Sequence, residues 1–282
     1  MTTNHPDRQS GQPSAQTLRF ESPVVLQDDI LRRRIYSPQS YATVRNTAVV
    51  PIVHSECASL ASWFPLVWQR RQGKLEFVAI RALLNEQRAQ PPAARGLLPL
   101  ILRAYPFVLD PGQPAAPDAR RMLDDVFADA PTDVGATITT VQRKLSRGTT
   151  SRFRFLDQFA HDAVVTAKIS EAVAGLDEFE PWNLKFEIDG NQVEVPDLLV
   201  VRPRAFEDGR LAPLLQQYGT PCAQMLGLHR ISLFRAGGLL AMAKALFRER
   251  RDIMHGNSAA TEPPRMARDM ATSRDHATTA PS

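Results

Sequence analysis

The fold is decided by the stretch FPLVWQRRQGKLEFVAIR, residues 64–81, which has the pattern of two strands joined by a tight turn. Two mostly apolar segments, Phe64–Gln69 and Leu75–Arg81, flank the turn residues 70–73. Gly73 can supply the positive φ that such a tight reversal requires. We therefore predict a β-hairpin at this place.

A second hairpin is predicted where Leu184–Ile188 and Gln192–Val195 flank Asp189-Gly190-Asn191, and residues 198–201 are expected to continue its sheet. Apolar residues recurring every three or four positions predict helices around the hairpins. These helices are Ser151–Leu176, Pro213–Phe234 with an interruption near residues 219–221, and Gly238–Arg250. The expected fold class is α+β, with a mixed or antiparallel sheet built from two hairpins and flanked by three or four helices.

Shorter elements are expected upstream of the long helices. The β-branched run Ala48–His54 predicts a strand, and Pro51 favours an edge or bulge position for it. Short helices are predicted at Ser55–Ser62 and Leu97–Tyr105. The proline-rich and aspartate-rich stretch 110–133 is expected to be irregular, with one helical turn around Met122–Phe127.

The two ends of the chain differ in composition from the middle. Residues 1–20 and 255–282 are polar and contain few large apolar residues, which predicts disorder, so one α+β domain is expected over residues 21–254. The start of the chain has no apolar run of the secretory type, and no stretch is apolar enough to span a membrane. The expected location is the cytoplasm, where Cys57 and Cys222 would stay reduced.

Charge is distributed unevenly along the chain. The formal net charge is +4, with an excess of basic residues over 1–104 and 212–282 and an excess of acidic residues over 105–211. Nucleic acid is not favoured as a partner, because the basic residues form no concentrated stripe. The basic segment Lys244–Arg251 leaves one alternative open, an anionic-surface binder that contacts lipid or nucleic acid through this helix.

Several short segments occur in an order that resembles the SapC family of bacterial proteins. The segments are Val50–Val53 with Glu56, Phe64–Val67, Arg103–Phe107, Glu180–Trp182, and Leu226–Leu228 followed by His229–Leu233. Their order and spacing extend over roughly residues 40–235. The chain is therefore similar to SapC proteins and not to the peptide-uptake permease of the same name, which would require membrane spans.

The resemblance implies an association with the bacterial surface layer or cell envelope. It implies no catalytic residue, cofactor or metal. The expected function is that of a non-enzymatic accessory or interaction protein whose partner is a protein or another envelope component. The alternative is an uncharacterised enzyme or a small-molecule-binding protein.

The reactive side chains form no recognised catalytic or metal-binding motif. His54 and Cys57 could make a nucleophile–base pair only if the fold aligned them. His161-Asp162 lacks the further ligands that a metal site needs. The acidic residues Asp124, Asp125, Asp129 and Asp133 could bind calcium but lack the spacing of an EF-hand loop.

The candidate ligand or partner groove is formed by aromatic residues next to prolines, together with two ionisable residues. We expect the aromatic residues to pack in one core or to line one groove. A convergent pocket that contains Glu56, Tyr105 or His229 would favour the alternative function. The seven candidates are Glu56, Trp63, Trp68, Tyr105, Phe107, Trp182 and His229.

Overall fold

The computed structural model describes residue 15 and residues 17–113 and 115–259, with side chains to residue 254. The chain divides into two compact units, residues 1–247 and residues 248–282. No helix in the described part is both long enough and apolar enough to cross a membrane.

The strands are short and alternate with the helices along the chain. They are β1 (Pro23–Val25), β2 (Arg34–Ile35), β3 (Val49–Pro51), β4 (Leu66–Arg71), β5 (Lys74–Ile80), β6 (Phe107–Leu109), β7 (Arg121–Asp124), β8 (Ala136–Thr137), β9 (Phe179–Pro181), β10 (Leu184–Ile188), β11 (Asn191–Val195) and β12 (Leu198–Val201). The α helices are α1 (Ala42–Asn46), α2 (Cys57–Leu60), α3 (Leu100–Arg103), α4 (Arg147–Gly175), α5 (Pro203–Glu207), α6 (Ala212–Ser232) and α7 (Ala236–Ala259).

The main sheet has five strands in the order β3-β5-β4-β12-β9, and all of its neighbouring strands are antiparallel. The hairpin β4–β5 lies at its centre, as the sequence predicts, and both Gln72 and Gly73 at the turn have positive φ. This pair of angles matches the right-handed twist of the two strands. β3 with Pro51 lies at one edge, which confirms the expected edge position.

The second hairpin, β10–β11, is confirmed, but it forms a separate two-stranded sheet. β12 does not extend that sheet, because it pairs instead with β4 on one side and β9 on the other. The hairpin is therefore an excursion of the chain between β9 and β12. The fold class is α+β, with several small antiparallel sheets in place of one sheet built from both hairpins.

The expected helical turn at Met122–Phe127 is wrong. Residues 121–124 form β7, the central strand of the three-stranded sheet β1-β7-β6. Met122 pairs with Val25 on one side and with Val108 on the other. Backbone pairing with two distant segments outweighs the local preference of a short, aspartate-containing stretch.

The long helices lie close to where the sequence predicts them. α4 begins earlier than expected, because the Ser146 hydroxyl accepts a hydrogen bond from the Thr149 amide and caps the helix. α6 is interrupted at Gly219, which has non-helical angles two residues before Pro221. α7 continues through Ala259, beyond the expected end at Arg250 and into the segment predicted to be disordered.

Residues 1–20 and 255–282 are the two ends for which the sequence predicts disorder. The larger part of residues 1–20 and the tail from residue 260 lie outside the described residues. Thr17 forms a bridge to Val49, and Leu18 is buried, so the packed region begins before residue 21.

Both faces of the main sheet are covered by helices. Val67, Val78 and Ile80 project to one face, where they belong to a core that also contains Leu239 and Leu246 of α7. The opposite face contributes to a second core, with residues of α4 and α6. A third core lies among the three-stranded sheet, α1, α3 and the first half of α4. α6 and α7 therefore pack on opposite faces of one sheet.

Candidate functional site

The seven candidate residues are distributed over different cores. Trp68 lies in the core beneath α6, and Tyr105 and Phe107 lie in the core of the three-stranded sheet. Trp182 packs, half-buried, against the core beneath α7, and Trp63 is 39% exposed. The expected single core or single groove is therefore not assembled in the described part of the chain.

Trp68 and His229 are the two candidates that are in direct contact. Their ring centroids are 4.8 Å apart, and the rings are close to perpendicular. The Trp68 indole N–H donates to the Ser170 hydroxyl at 2.9 Å, and the ring centroids of Phe77 and Phe179 lie 4.8 and 4.9 Å from that of Trp68. Both rings are fully buried, so the contact stabilises the interior and is not open to a ligand.

His229 connects two strands of the main sheet. β12 and β4 pair Leu198 with Gln69 and Leu199 with Trp68, and this register, continued, places Val201 opposite Leu66. The imidazole lies between these two residues. Nδ1 donates to the Leu66 carbonyl at 2.6 Å, and Nε2 accepts from the Val201 amide at 3.2 Å.

These two bonds require a neutral imidazole with its proton on Nδ1. Burial lowers the pKa of His229 to about 4, since a charged ring would lose its hydration and its acceptor nitrogen. The adjacent Ser232 hydroxyl donates to the His229 carbonyl and accepts from the Leu66 amide. His229 and Ser232 thus fix the end of α6 to the start of β4.

Glu56 is a buried carboxylate that holds two helical segments in place. Its oxygens accept hydrogen bonds from the Val53 amide at 3.1 Å and the Leu100 amide at 2.6 Å. Burial raises the pKa of Glu56 to about 7, against the opposing effect of these two bonds and of the Arg103 charge. The side chain joins the turn after β3 to the start of α3.

Tyr105 and Asp124 form a second buried polar pair. The Tyr105 hydroxyl donates to Asp124 Oδ2 at 2.8 Å, and the Ser22 amide donates to Oδ1 at 2.7 Å. Burial raises the pKa of Tyr105, so the phenol stays protonated as a donor. The pair joins the residues before β6 to β7 and to the segment before β1. Glu56, Tyr105 and His229 thus have separate structural roles and do not converge on one pocket.

The side chains considered for catalysis or metal binding at residues 54, 57 and 162 are buried or hydrogen-bonded within the fold. His54 Nδ1 faces the Thr166 hydroxyl at 3.1 Å, and Cys57 is fully buried. Burial raises the pKa of Cys57 to about 12, so its thiol stays protonated. Both cysteines are unpaired, as expected, and both are fully buried. Asp162 accepts from Ser55 at 2.5 Å.

The acidic residues considered for calcium do not gather around one point. Asp124 is buried beside Tyr105, while Asp125 pairs with Arg33 and Asp129 with Arg45. Asp133 accepts from the backbone of its own turn and of residue 37. Among the described residues, no group of three acidic, histidine or cysteine side chains is placed to hold a metal ion.

Sequence reasoning missed a fully buried arginine, Arg81, at the end of β5. Its guanidinium donates to the carbonyls of Val44 and Thr47 at the end of α1 and to the Gln90 side chain. Burial lowers its pKa to about 10. The sequence does contain a signal for this residue, since Arg81 is the one charged residue in the apolar run 77–84. A charge in such a run is expected to be buried and to have hydrogen-bond partners inside the fold.

A surface near the end of α6 exposes large apolar side chains. Ile231 is 60% exposed and Phe234 is 62% exposed. The Arg235 guanidinium lies 4.3 Å from the centre of the Phe234 ring. Trp63 lies three residues before Leu66, whose amide is bonded to Ser232. Trp63 is one of the seven predicted candidates, whereas Ile231 and Phe234 were not predicted.

The comparisons with known proteins identify a family. A family model described as SapC matches residues 32–229, which is more than half of the chain. The matched region extends from the residues before α1 to His229 in α6 and includes the main sheet. No curated protein and no solved structure gives a match.

Proposed function

Because this chain belongs to the SapC family, we propose that it is a non-enzymatic accessory protein of the bacterial surface layer or cell envelope. In this proposal it acts by binding another protein or an envelope component. A small molecule is the alternative ligand.

The observation that carries the proposal is the structural use of the chain's reactive side chains. Glu56, Tyr105 and His229 are each buried and hydrogen-bonded to groups of the fold itself. Ile231 and Phe234, at the end of α6, are large apolar side chains that remain accessible, and exposed apolar groups are typical of binding surfaces. This division of roles supports recognition more than catalysis.

We further propose that the protein works in the cytoplasm, at the inner side of the envelope. The two buried, unpaired cysteines are consistent with a reducing compartment. The envelope association itself is what the family resemblance implies.

The test is affinity capture of the tagged full-length chain from its native host, performed separately on the cytoplasmic and envelope fractions after mild cross-linking. A surface-layer or envelope protein recovered with the chain, and recovering it in the reciprocal capture, is the expected result. Recovery of the chain alone in the cytoplasm, with a small molecule that co-purifies, would contradict the proposal.

A further inference from the structure

The last third of the chain contains a long segment without acidic residues. Between Asp208 and Glu249 the sequence has no aspartate or glutamate, although it includes Arg230, Arg235 and Lys244. The segment forms α6, a short 3-10 turn at residues 233–235, and the first half of α7. The formal charge of residues 209–248 is +5, from Arg210, Arg230, Arg235, Lys244 and Arg248, although Arg210 is paired with Glu178. This local excess of cations favours contact with an anionic partner.

The exposed face of this helical segment is mostly apolar between residues 230 and 245. Exposed positions recur every three or four residues, opposite the buried ones such as His229 and Leu239. They carry Ile231 and Phe234, followed by the small residues Gly237, Gly238, Ala241 and Ala245. A helix face that points to water usually carries charged or polar side chains. On this face Arg230 and Lys244 supply the charge, and both are exposed.

The two large apolar side chains are held in a defined position. Ser232, between them, is bonded to the Leu66 amide, and His229 is bonded to both β4 and β12. Ile231 and Phe234 therefore project from a fixed part of the fold. Trp63, also exposed, lies at the same end of α6, since three residues of chain reach at most about 11 Å from Leu66.

The charged and apolar side chains of this face favour one class of partner over a second copy of the chain and over nucleic acid. A second copy of the chain docked face to face would bring the cations of both copies together, which disfavours it. Duplex nucleic acid offers phosphates but no apolar layer for Ile231 and Phe234, and single strands offer base faces that stack on an aromatic ring such as Phe234 but leave Ile231 without an apolar partner. An anionic lipid surface offers both, because cations contact the headgroups while aromatic and aliphatic side chains enter the boundary with the acyl chains. Tryptophan and phenylalanine with flanking cations are typical of such interfacial contacts.

We propose that the face formed by Trp63, Ile231, Phe234, Arg230 and Lys244 docks on an anionic lipid surface. This inference rests on the proposed envelope association and names the component that the chain contacts. The exposed small residues at the start of α7, Gly237, Gly238 and Ala241, let the helix backbone approach the headgroups next to the large side chains.

The test is co-sedimentation of the full chain with vesicles of phosphatidylcholine alone and of phosphatidylcholine mixed with phosphatidylglycerol. We expect binding to the mixed vesicles that weakens as salt is added. The double variant Ile231→Ser/Phe234→Ser should bind at least about tenfold more weakly. The variant Arg230→Gln/Lys244→Gln should lose about fivefold for each charge removed.

The matched control is Phe127→Ser, which removes a phenylalanine that is 97% exposed and lies outside this face. It should bind like the wild type. Circular dichroism checks that each variant keeps its fold, as expected for exposed positions. A second readout is tryptophan emission, which should shift to the blue on addition of mixed vesicles and stay unshifted in Trp63→Phe.

The proposal is overturned if the wild type does not bind the mixed vesicles, if Phe127→Ser loses as much affinity as the double variant, or if Ile231→Ser/Phe234→Ser instead dissociates a dimer. Each of these results leaves the proposed function standing, because capture from the envelope fraction tests it through protein partners.

Discussion

Replacing Glu56 by glutamine should make the free energy of unfolding depend on pH in a range where that of the wild type is nearly constant. Two buried groups have pKa values shifted in opposite directions, since burial raises that of Glu56 from 4.5 to about 7 and lowers that of His229 from 6.5 to about 4. Each pH unit of such a difference between folded and unfolded states corresponds to ~1.4 kcal/mol. Each group therefore carries about 3 kcal/mol of pH-dependent stability.

The two contributions have opposite signs. Glu56 has a raised pKa, so its contribution is fully present below pH 4.5 and is lost as the pH rises towards 7. His229 has a lowered pKa, so its contribution is present above pH 6.5 and is lost as the pH falls towards 4. Between pH 4.5 and pH 6.5 both contributions to the free energy of unfolding change with pH, and they cancel because they change in opposite directions.

Glu56→Gln removes one of the two slopes. The free energy of unfolding of the variant, measured by urea denaturation at a series of pH values, should rise by about 3 kcal/mol from pH 4 to pH 6.5, because the His229 contribution is no longer offset. The wild-type free energy should stay nearly constant between pH 4.5 and pH 6.5. Glu187→Gln, which removes an exposed carboxylate, is the control. A Glu56→Gln curve parallel to that of the wild type would refute the reasoning, whatever its vertical offset.

Two further substitutions test other contacts of the fold by urea denaturation. Tyr105→Phe removes a donor to the buried Asp124 carboxylate and should lower the free energy of unfolding by about 1–3 kcal/mol, so an unchanged midpoint would show that the pair is not needed. Gly135→Ala should lower the free energy of unfolding by at least about 1 kcal/mol more than Gly73→Ala does. Both glycines have positive φ, but a Cβ at residue 135 would lie 2.8 Å from the Tyr36 ring, whereas a Cβ at residue 73 would meet nothing within 4 Å. Equal losses at the two glycines would exclude the contact with Tyr36 as the cause.

The parts of the fold that were predictable from the sequence are those whose signal is local. Gly73 and Gly190 mark two hairpins, because a two-residue turn needs positive φ regardless of the surroundings. Gly219 and Pro221 mark the interruption of α6 for the same kind of reason. β7 was missed, because its stability comes from Val25 and Val108, which are far away in sequence.

The candidate site was less predictable, because neighbouring residues of a strand face different cores. Val67 and Trp68 are adjacent in sequence, yet they project to opposite faces of the main sheet and belong to different clusters. The segments that carry the family resemblance include Glu56 and His229, and the structure shows that both side chains hold segments of the fold together. Whether such residues contact a ligand or a strand depends on the register of β12, which no local pattern encodes.

The arrangement of the main sheet has a consequence for how the chain folds during synthesis. β4 meets β5 as soon as the first hairpin leaves the ribosome, but its other edge must wait for β12, which begins at Leu198. At translation rates of about 5–20 residues per second, this delay is on the order of 10 s. During it the nascent chain displays an unpaired, apolar strand edge, so we expect a chaperone to protect the hairpin until α6 and α7 emerge and cover the two faces of the completed sheet.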